Sequence, residues 1–275
     1  MKNQKYTYKE YQELLKMPLK DKISRANQLI LGELKNHKMP CVSCSWGKDS
    51  IVLLDLVRKW CKKVLVVFNN TGVEYPQTLE YRDFILKEWQ INNYHENKPI
   101  KSFFQCVKEY GYPKYRQMAG QGGKERVSAP KCCYYCKEKP FINFIKKFKI
   151  DLNFIGLQAT ESMVRRLSFF REGESFDSKK YDCRIVRPLM IWTDEDIWSY
   201  HRLNNIPKNP LYDLMKRNGC MPCTAFKGWQ EVMNKANPKL FEYVSKQIGS
   251  PNLDCFKEKR DDGQEGGLSE GGLEG

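Results

Sequence analysis

Two groups of residues in this chain have types and spacings that could do chemistry. Residues 45–50 read Ser-Trp-Gly-Lys-Asp-Ser, after the small and apolar stretch Cys41-Val42-Ser43-Cys44 and before an apolar run at helical spacing. A buried strand that turns directly into a helix leaves backbone N–H groups unpaired at the helix start, where the helix dipole is positive. Gly47 permits the tight turn, and Lys48 and the hydroxyls of Ser45 and Ser50 add donors, so the stretch is suited to cradle a phosphate. It is not a Walker A motif, which needs a longer Gly-rich loop before its Lys. The second group is cysteine. Of eleven in the chain, Cys132, Cys133 and Cys136 form one cluster and Cys220 with Cys223 another. A Cys-x-x-Cys turn aims two sulfurs at one centre, and two such turns supply enough thiolates for zinc or an iron–sulfur cluster. Spacing alone leaves the metal open, and leaves open whether Cys132 or Cys136 accompanies Cys133. Cys41, Cys44 and Cys61 read as strand or core residues, and Cys106 and Cys183 have no clear partner. His37, His95 and His201 are too scattered to make a site.

The elements that must position these residues follow from periodicity. Asp21 to Lys35 has helical apolar spacing, Pro40 to Ser45 reads as a strand, and Asp49 to Trp60 as a helix. A second strand ends at Asn69-Asn70-Thr71-Gly72, and a helix with Pro in its first turn runs from Pro76 to Trp89. Asp151 to Gln158 and Arg184 to Met190 read as further strands, the last followed by a helix with Thr193 as its N-cap. Alternation of this kind predicts an α/β fold, a doubly wound, mostly parallel sheet with flanking helices and a helical C-terminal part. Ligands of such sheets sit beyond the carboxyl ends of the strands, near the switch point. The expected organisation is a helical leader over 1–35, the main domain with its cysteine cluster over 36–250, and a disordered, acidic, Gly-rich tail over 251–275. Residues 118–130 read as a Gly-rich polar loop.

Composition narrows the class. The net charge of +14 suggests an anionic partner: a nucleotide, a polyanionic substrate or nucleic acid. Met1 to Lys20 is polar, with no apolar run after a basic start, and nothing approaches the length of a membrane span. A cytoplasmic protein with no membrane partner is the expectation, and clustered cysteines there point to metal or redox chemistry rather than a disulfide framework.

With its context, the loop resembles the PP-loop Ser-Gly-Gly-Lys-Asp-Ser of the adenine-nucleotide α-hydrolase-like superfamily, and within it the phosphoadenosine phosphosulfate (PAPS) reductase family. "NNTGVEYPQT", "KCCYYCKEKPF", "GLQATESMVRR" and "PLMIWTDEDIWSYHRLNNIPKNPLYD" carry that likeness over roughly residues 35–245. The resemblance implies ATP, adenylyl sulfate (APS) or PAPS as ligand, with phosphates over Ser45, Trp46, Gly47, Lys48, Asp49 and Ser50. Asp49 would orient the loop or a Mg²⁺ ion, Thr71 and Glu74 would border the ribose or metal, and Glu161, Arg165 and Arg166 would close the phosphate side. Lys48, Asp49, Arg165 and Arg166 are the expected catalytic residues. Trp46 departs from the pattern by replacing a Gly, and Gln158 by standing where Arg is common. The family branch with a double Cys and a distant Cys-x-x-Cys carries a [4Fe–4S] cluster, which implies ligands Cys132, Cys133, Cys220 and Cys223; Cys136 falls where Arg is usual.

Two reactions live on this architecture. The preferred expectation is an ATP pyrophosphatase that adenylates an acceptor for sulfur insertion into nucleic acid, as in tRNA thiolation or DNA phosphorothioation. Its partners would be DNA or tRNA and a sulfur donor such as a cysteine desulfurase. Lys137, Lys139, Lys146, Lys147 and Lys149 near the cysteines would suit a phosphate backbone. The alternative is a sulfonucleotide reductase releasing sulfite. Its family motif, Glu-Cys-Gly-Leu-His, is matched here by Glu270-Gly271-Gly272-Leu273-Glu274, with Gly271 in place of the nucleophile and Cys255 the remaining late cysteine. A non-catalytic, zinc-containing nucleic-acid-binding protein is the third expectation.

Overall fold

The structure is a computed structural model that describes residues 4–113 and 130–248. Most of the expected Gly-rich loop, the acidic tail and Cys255 lie outside the described residues. The strands are β1 (Pro40–Ser43), β2 (Leu65–Asn69), β3 (Tyr94–Asn97), β4 (Leu152–Ile155), β5 (Ser175–Ser178) and β6 (Cys183–Val186). They form one sheet in the order β3-β2-β1-β4-β6-β5, parallel throughout except that β5 runs antiparallel to β6. Chain order reverses between β1 and β4, whose registered ends Ser43 and Ile155 lie side by side. That is the switch point, and the loops leaving these two strands meet there.

The expected strands are present but shorter, and β3 and β5 were not foreseen. Tyr-His-Glu-Asn and Ser-Phe-Asp-Ser lack the apolar run that marks a central strand. Each occupies a sheet edge, where a single neighbour supplies the ladder and polar side chains are tolerated.

The helix Lys48–Trp60 is the central packing element. Ile51, Val52, Leu53, Leu54, Leu56 and Val57 are all fully buried, so it is apolar around most of its circumference and is enclosed by neighbours. The helices Leu19–Asn36 and Asp194–Leu203 pack against it. On the opposite face Phe141, Phe144 and Ile145 of the helix Lys139–Phe148 join Cys41, Val67, Cys183 and Ile185 of the sheet. The leader shares the main core. Thr7 and Glu10 form a capping box, and Tyr11 packs at 5.6 Å from the rings of both Phe169 and Phe170. The C-terminal part is helical as expected, with Trp229–Ala236 and Pro238–Ile248 closing on Met233, Phe241 and Val244. No helix among the described residues is long and apolar enough to cross a membrane.

Trp46 shows how the sheet and the loop are joined. Its φ is +61°, in the left-handed region that Gly occupies freely, which accounts for the Gly in the related motif. The indole does not crowd the loop. It is wholly buried, 6.3 Å from the ring of Phe68 and 6.0 Å from that of Tyr94. A left-handed non-Gly residue costs about 1–2 kcal/mol, whereas deleting a buried Trp side chain costs about 3–5 kcal/mol; burial wins. Trp46→Ala should therefore lower unfolding free energy by about 3–5 kcal/mol in urea denaturation. A variant as stable as wild type would show that the indole does not anchor the turn.

Candidate functional site

The loop after β1 is shaped by its own hydroxyls. Ser50 Oγ donates to the Gly47 carbonyl at 3.0 Å and accepts from the Ser45 amide at 3.2 Å. Ser50 thus folds the turn rather than standing free as a donor. The C-terminal half straps the loop from outside. Asn209 Nδ2 donates to the Trp46 carbonyl at 3.0 Å, and Asn218 Nδ2 to the Ser45 carbonyl at 3.1 Å. The Lys48 amide donates to the Tyr212 hydroxyl at 2.9 Å, and a Cβ at position 47 would stand 2.9 Å from that same oxygen, which explains Gly47. His201 Nε2 lies 3.0 Å from the Lys48 carbonyl. An acceptor there fixes Nε2 as the protonated nitrogen.

Lys48 and Asp49 are already engaged. Lys48 Nζ meets Asp49 Oδ1 at 2.8 Å and Asp194 Oδ1 at 2.7 Å. Gln158 Nε2 donates to the same Asp49 oxygen at 3.0 Å. Burial raises the Asp49 carboxyl above its usual range, and Lys48 offsets part of that. Gln158, where Arg is common in the related motif, therefore secures Asp49 instead of reaching a phosphate. The loop carrying it approaches closely because position 156 is Gly: a Cβ there would stand 3.0 Å from the Asp49 carbonyl.

The end of β2 links this loop to the cysteines. Thr71 Oγ1 donates to Glu74 Oε1 at 2.7 Å, and Cys220 Sγ lies 3.5 Å from Thr71 Oγ1. Glu74 and Cys220 form an isolated antiparallel bridge, and the Met221 amide donates to the Val73 carbonyl at 2.8 Å. Thr71 and Glu74 thus occupy the seam between the two groups that opened the sequence reading.

Arg165 forms an ion pair with Glu161. Burial lowers its pKa, and the Asp49 carboxylate opposes the shift. Arg166 is different. Its charge bears on Tyr11 of the first helix, whose hydroxyl pKa is raised by burial, a shift that Arg166 partly offsets.

The five cysteines expected to bind metal do not act alike. Cys132 and Cys133 hydrogen-bond to each other, and the charges of Cys220 and Cys223 are felt at Cys132. The bond from Cys132, then the cations Lys137 and Arg217, lower the Cys133 thiol to about 6. Cys136 turns aside, its Sγ 3.3 Å from the Lys101 carbonyl and its thiol hydrogen-bonded to the free thiol of Cys106. Burial pushes it up to about 12. Among the described residues no three of His, Cys, Asp or Glu are gathered tightly enough to hold a metal ion as they stand.

Sequence reasoning missed the strapping residues Asn209, Tyr212 and Asn218, the acid Asp194 and the place of Lys137. The Asn-Pro-Leu-Tyr-Asp run was a signal, but without a fold it assigned no contact. Lys137 was expected among the lysines suited to a phosphate backbone. Its ammonium instead faces the Cys220 thiol and Glu74, whose charges raise its pKa. A cavity of about 990 Å³ opens beside Lys48, lined by Trp198, His201, Arg202, Lys208 and Tyr212 among others.

His201 gives the site a pH signature. Burial lowers its pKa below the ordinary 6.5, so the folded state holds it neutral. Once pH falls below about 6.5 the unfolded chain binds a proton that the folded chain refuses, and stability drops. The urea midpoint should therefore fall between pH 7.5 and pH 5.5, and His201→Gln should flatten that slope. An equal slope in both proteins would assign the acid sensitivity elsewhere.

Residues 39–226 match the family model of the phosphoadenosine phosphosulfate reductase domain. The chain is 30% identical over 185 residues to the adenosine 5'-phosphosulfate reductase of Oceanobacillus iheyensis, covering 66% of this chain and 70% of that one. It is 26% identical over 231 residues to the protein of the same name from Staphylococcus epidermidis, covering 82% and 88%. In fold it is similar to the PAPS reductase of Candida auris, with a TM-score of 0.54, 17% identity, and 78% of this chain and 96% of that one covered.

Proposed function

Because the chain belongs to the phosphoadenosine phosphosulfate reductase domain family, we propose that it is an enzyme binding an adenine sulfonucleotide, APS or PAPS, and reducing its sulfate to sulfite. The observation that carries this reading is the seam at the end of β2. Cys220 lies 3.5 Å from Thr71, and both flank the phosphate loop. A nucleotide with phosphates over residues 45–50 would extend its anionic end toward the thiols. The names of the Oceanobacillus and Staphylococcus relatives support the same substrate class.

In this reading the amides of the first turn of the helix Lys48–Trp60 hold the phosphate, with Lys48 and Arg165 supplying charge. Thr71 and Glu74 border the sugar. A thiolate attacks the sulfate sulfur, the S–O bond to AMP breaks, and a thiosulfonate forms; a second thiol then displaces sulfite and leaves a disulfide. Cys255 is the candidate nucleophile. Cys132, Cys133, Cys220 and Cys223 would hold a [4Fe–4S] cluster. The donor set fits it by chemistry, being four mutually influencing thiols beside two cations that favour thiolate. Held by four thiolates, such a cluster would itself be net anionic and would supply a redox-active centre, with the cations Lys137 and Arg217 beside Cys133 offsetting its charge. Cys136, hydrogen-bonded to Cys106 and Lys101, is outside that set.

A second reading, ATP activation for sulfur insertion into nucleic acid, is favoured by Gly271 in the position of the family nucleophile and by the exposed lysines Lys146, Lys147 and Lys149. DNA or tRNA and a sulfur-donor protein would then be partners, with Mg²⁺ accompanying ATP.

The test is anaerobic purification, then incubation with APS, PAPS or ATP, with iron content and visible absorption recorded on the same sample. The expected outcome is iron-dependent colour, lost in Cys220→Ser and kept in Cys136→Ser, with sulfite released from a sulfonucleotide when thioredoxin is present. Pyrophosphate from ATP with no sulfite from either sulfonucleotide would replace the reductase reading with the second one.

A further inference from the structure

The cations around the cleft differ in how they are compensated. Lys48 faces Asp49 and Asp194, and Arg165 faces Glu161. Lys137 faces Cys220 and Glu74. Arg217 makes no ion pair with a carboxylate of the described residues. It is nevertheless held in place: its guanidinium lies 4.7 Å from the centre of the Phe226 ring. A Cβ on Gly219 would meet its Nε at 4.0 Å, so the guanidinium packs across the backbone that leads into Cys220.

The neighbours of Arg217 fix where it stands. Asn218 donates to the Ser45 carbonyl of the phosphate loop, and Cys220 is bridged to Glu74. The segment 217–221 is thus a strap laid between the phosphate loop and the cysteine pair, with Arg217 at its head. Its charge reaches Arg165, whose pKa it helps to lower. Two guanidiniums within each other's field repel, and an anion between them relieves that repulsion. Arg is suited to this because its planar donors match tetrahedral oxyanions two at a time.

We propose that Arg217 is the specificity-determining contact for the outer anionic group, sulfate or β-phosphate, of the bound adenine nucleotide, acting opposite Arg165. The inference rests on the adenine-nucleotide reading above. Phe226 supports the guanidinium, which lies over the backbone of the strap at Gly219. An α-phosphate seated on the loop is held by residues 45–50 without Arg217; a group attached beyond it reaches the space between the two arginines. The residue therefore separates AMP from ADP and APS.

The test is equilibrium binding of AMP, ADP and APS to the anaerobically purified full chain, comparing wild type, Arg217→Ala and Arg217→Lys. Loss of a charge-assisted contact predicts that Arg217→Ala weakens ADP and APS by about tenfold or more. AMP should stay within about twofold, and Arg217→Lys should recover part of the loss because it restores charge without the planar fork. ADP and APS falling together would identify the shared anionic charge as what is read, and APS alone would identify sulfate. Equal losses for AMP, or unmoved ADP and APS, would overturn the assignment while leaving the nucleotide reading intact. Failure of wild type to bind any of the three would overturn both.

Discussion

Everything at the switch point depends on how the first turn of one buried helix is held. The N-terminus of Lys48–Trp60 has amides with no partner inside the helix, while its remaining turns are wholly enclosed. A turn left to itself would fray or close on its own carbonyls. Here each carbonyl of the loop is taken by a side chain: Ser45 by Asn218, Trp46 by Asn209 and Lys48 by His201, all distant in sequence, and Gly47 by Ser50 within the turn. The amides of Ser45 and Lys48 are held as well, by Ser50 and by the Tyr212 hydroxyl, so the turn is fixed at both its donors and its acceptors. Donors held in advance cost little reorganisation when an anion arrives, which is what makes such a turn a binding site instead of a mere connection.

This strapping also couples the loop to the cysteines. Asn218 and Cys220 belong to one short segment, and that segment bridges to the end of β2 through Glu74 and Val73. Displacing the strap would move a thiol and a loop carbonyl together. The phosphate end and the sulfur end of the cleft are consequently parts of one rigid arrangement, although their residues lie well over a hundred positions apart in sequence. The pairing of Lys48 with Asp49 and Asp194 has a related consequence. A buried ammonium without partners would be costly, so the loop lysine is compensated in the protein as it stands, and an incoming phosphate competes for it.

The fold was legible where burial imposes a pattern. β1, β2, β4 and β6 and the helices after β1 and β2 were readable because central elements need apolar runs of fixed period. β3 and β5 were not, since edge strands can be polar and owe their conformation to a neighbour. The loop residues were legible as a motif, but their partners were not: Tyr212 and Asn209 act through contacts that span more than 160 positions. Arg165 and Arg166 illustrate the limit most sharply. Adjacent residues on a helix point about 100° apart. Sequence could name the pair, but the ion pair of Arg165 with Glu161 and the field of Arg166 at Tyr11 appear only in the folded chain.

Trp46 and Gln158, the two departures from the related motif, are compensations of the same kind. Each side chain that would have altered the phosphate surface is turned into the protein. The indole fills the space beside Phe68 and Tyr94, so the left-handed backbone survives without Gly. The amide of Gln158 binds Asp49, so a position that could have added a charge to the cleft stabilises an acid beneath it instead. With one potential cation lost from that wall, the positive potential on the cysteine side comes from Lys137 and Arg217, both on segments adjoining the thiols. These two cations act on Cys133 as well, adding to the hydrogen bond from Cys132 in lowering its thiol pKa.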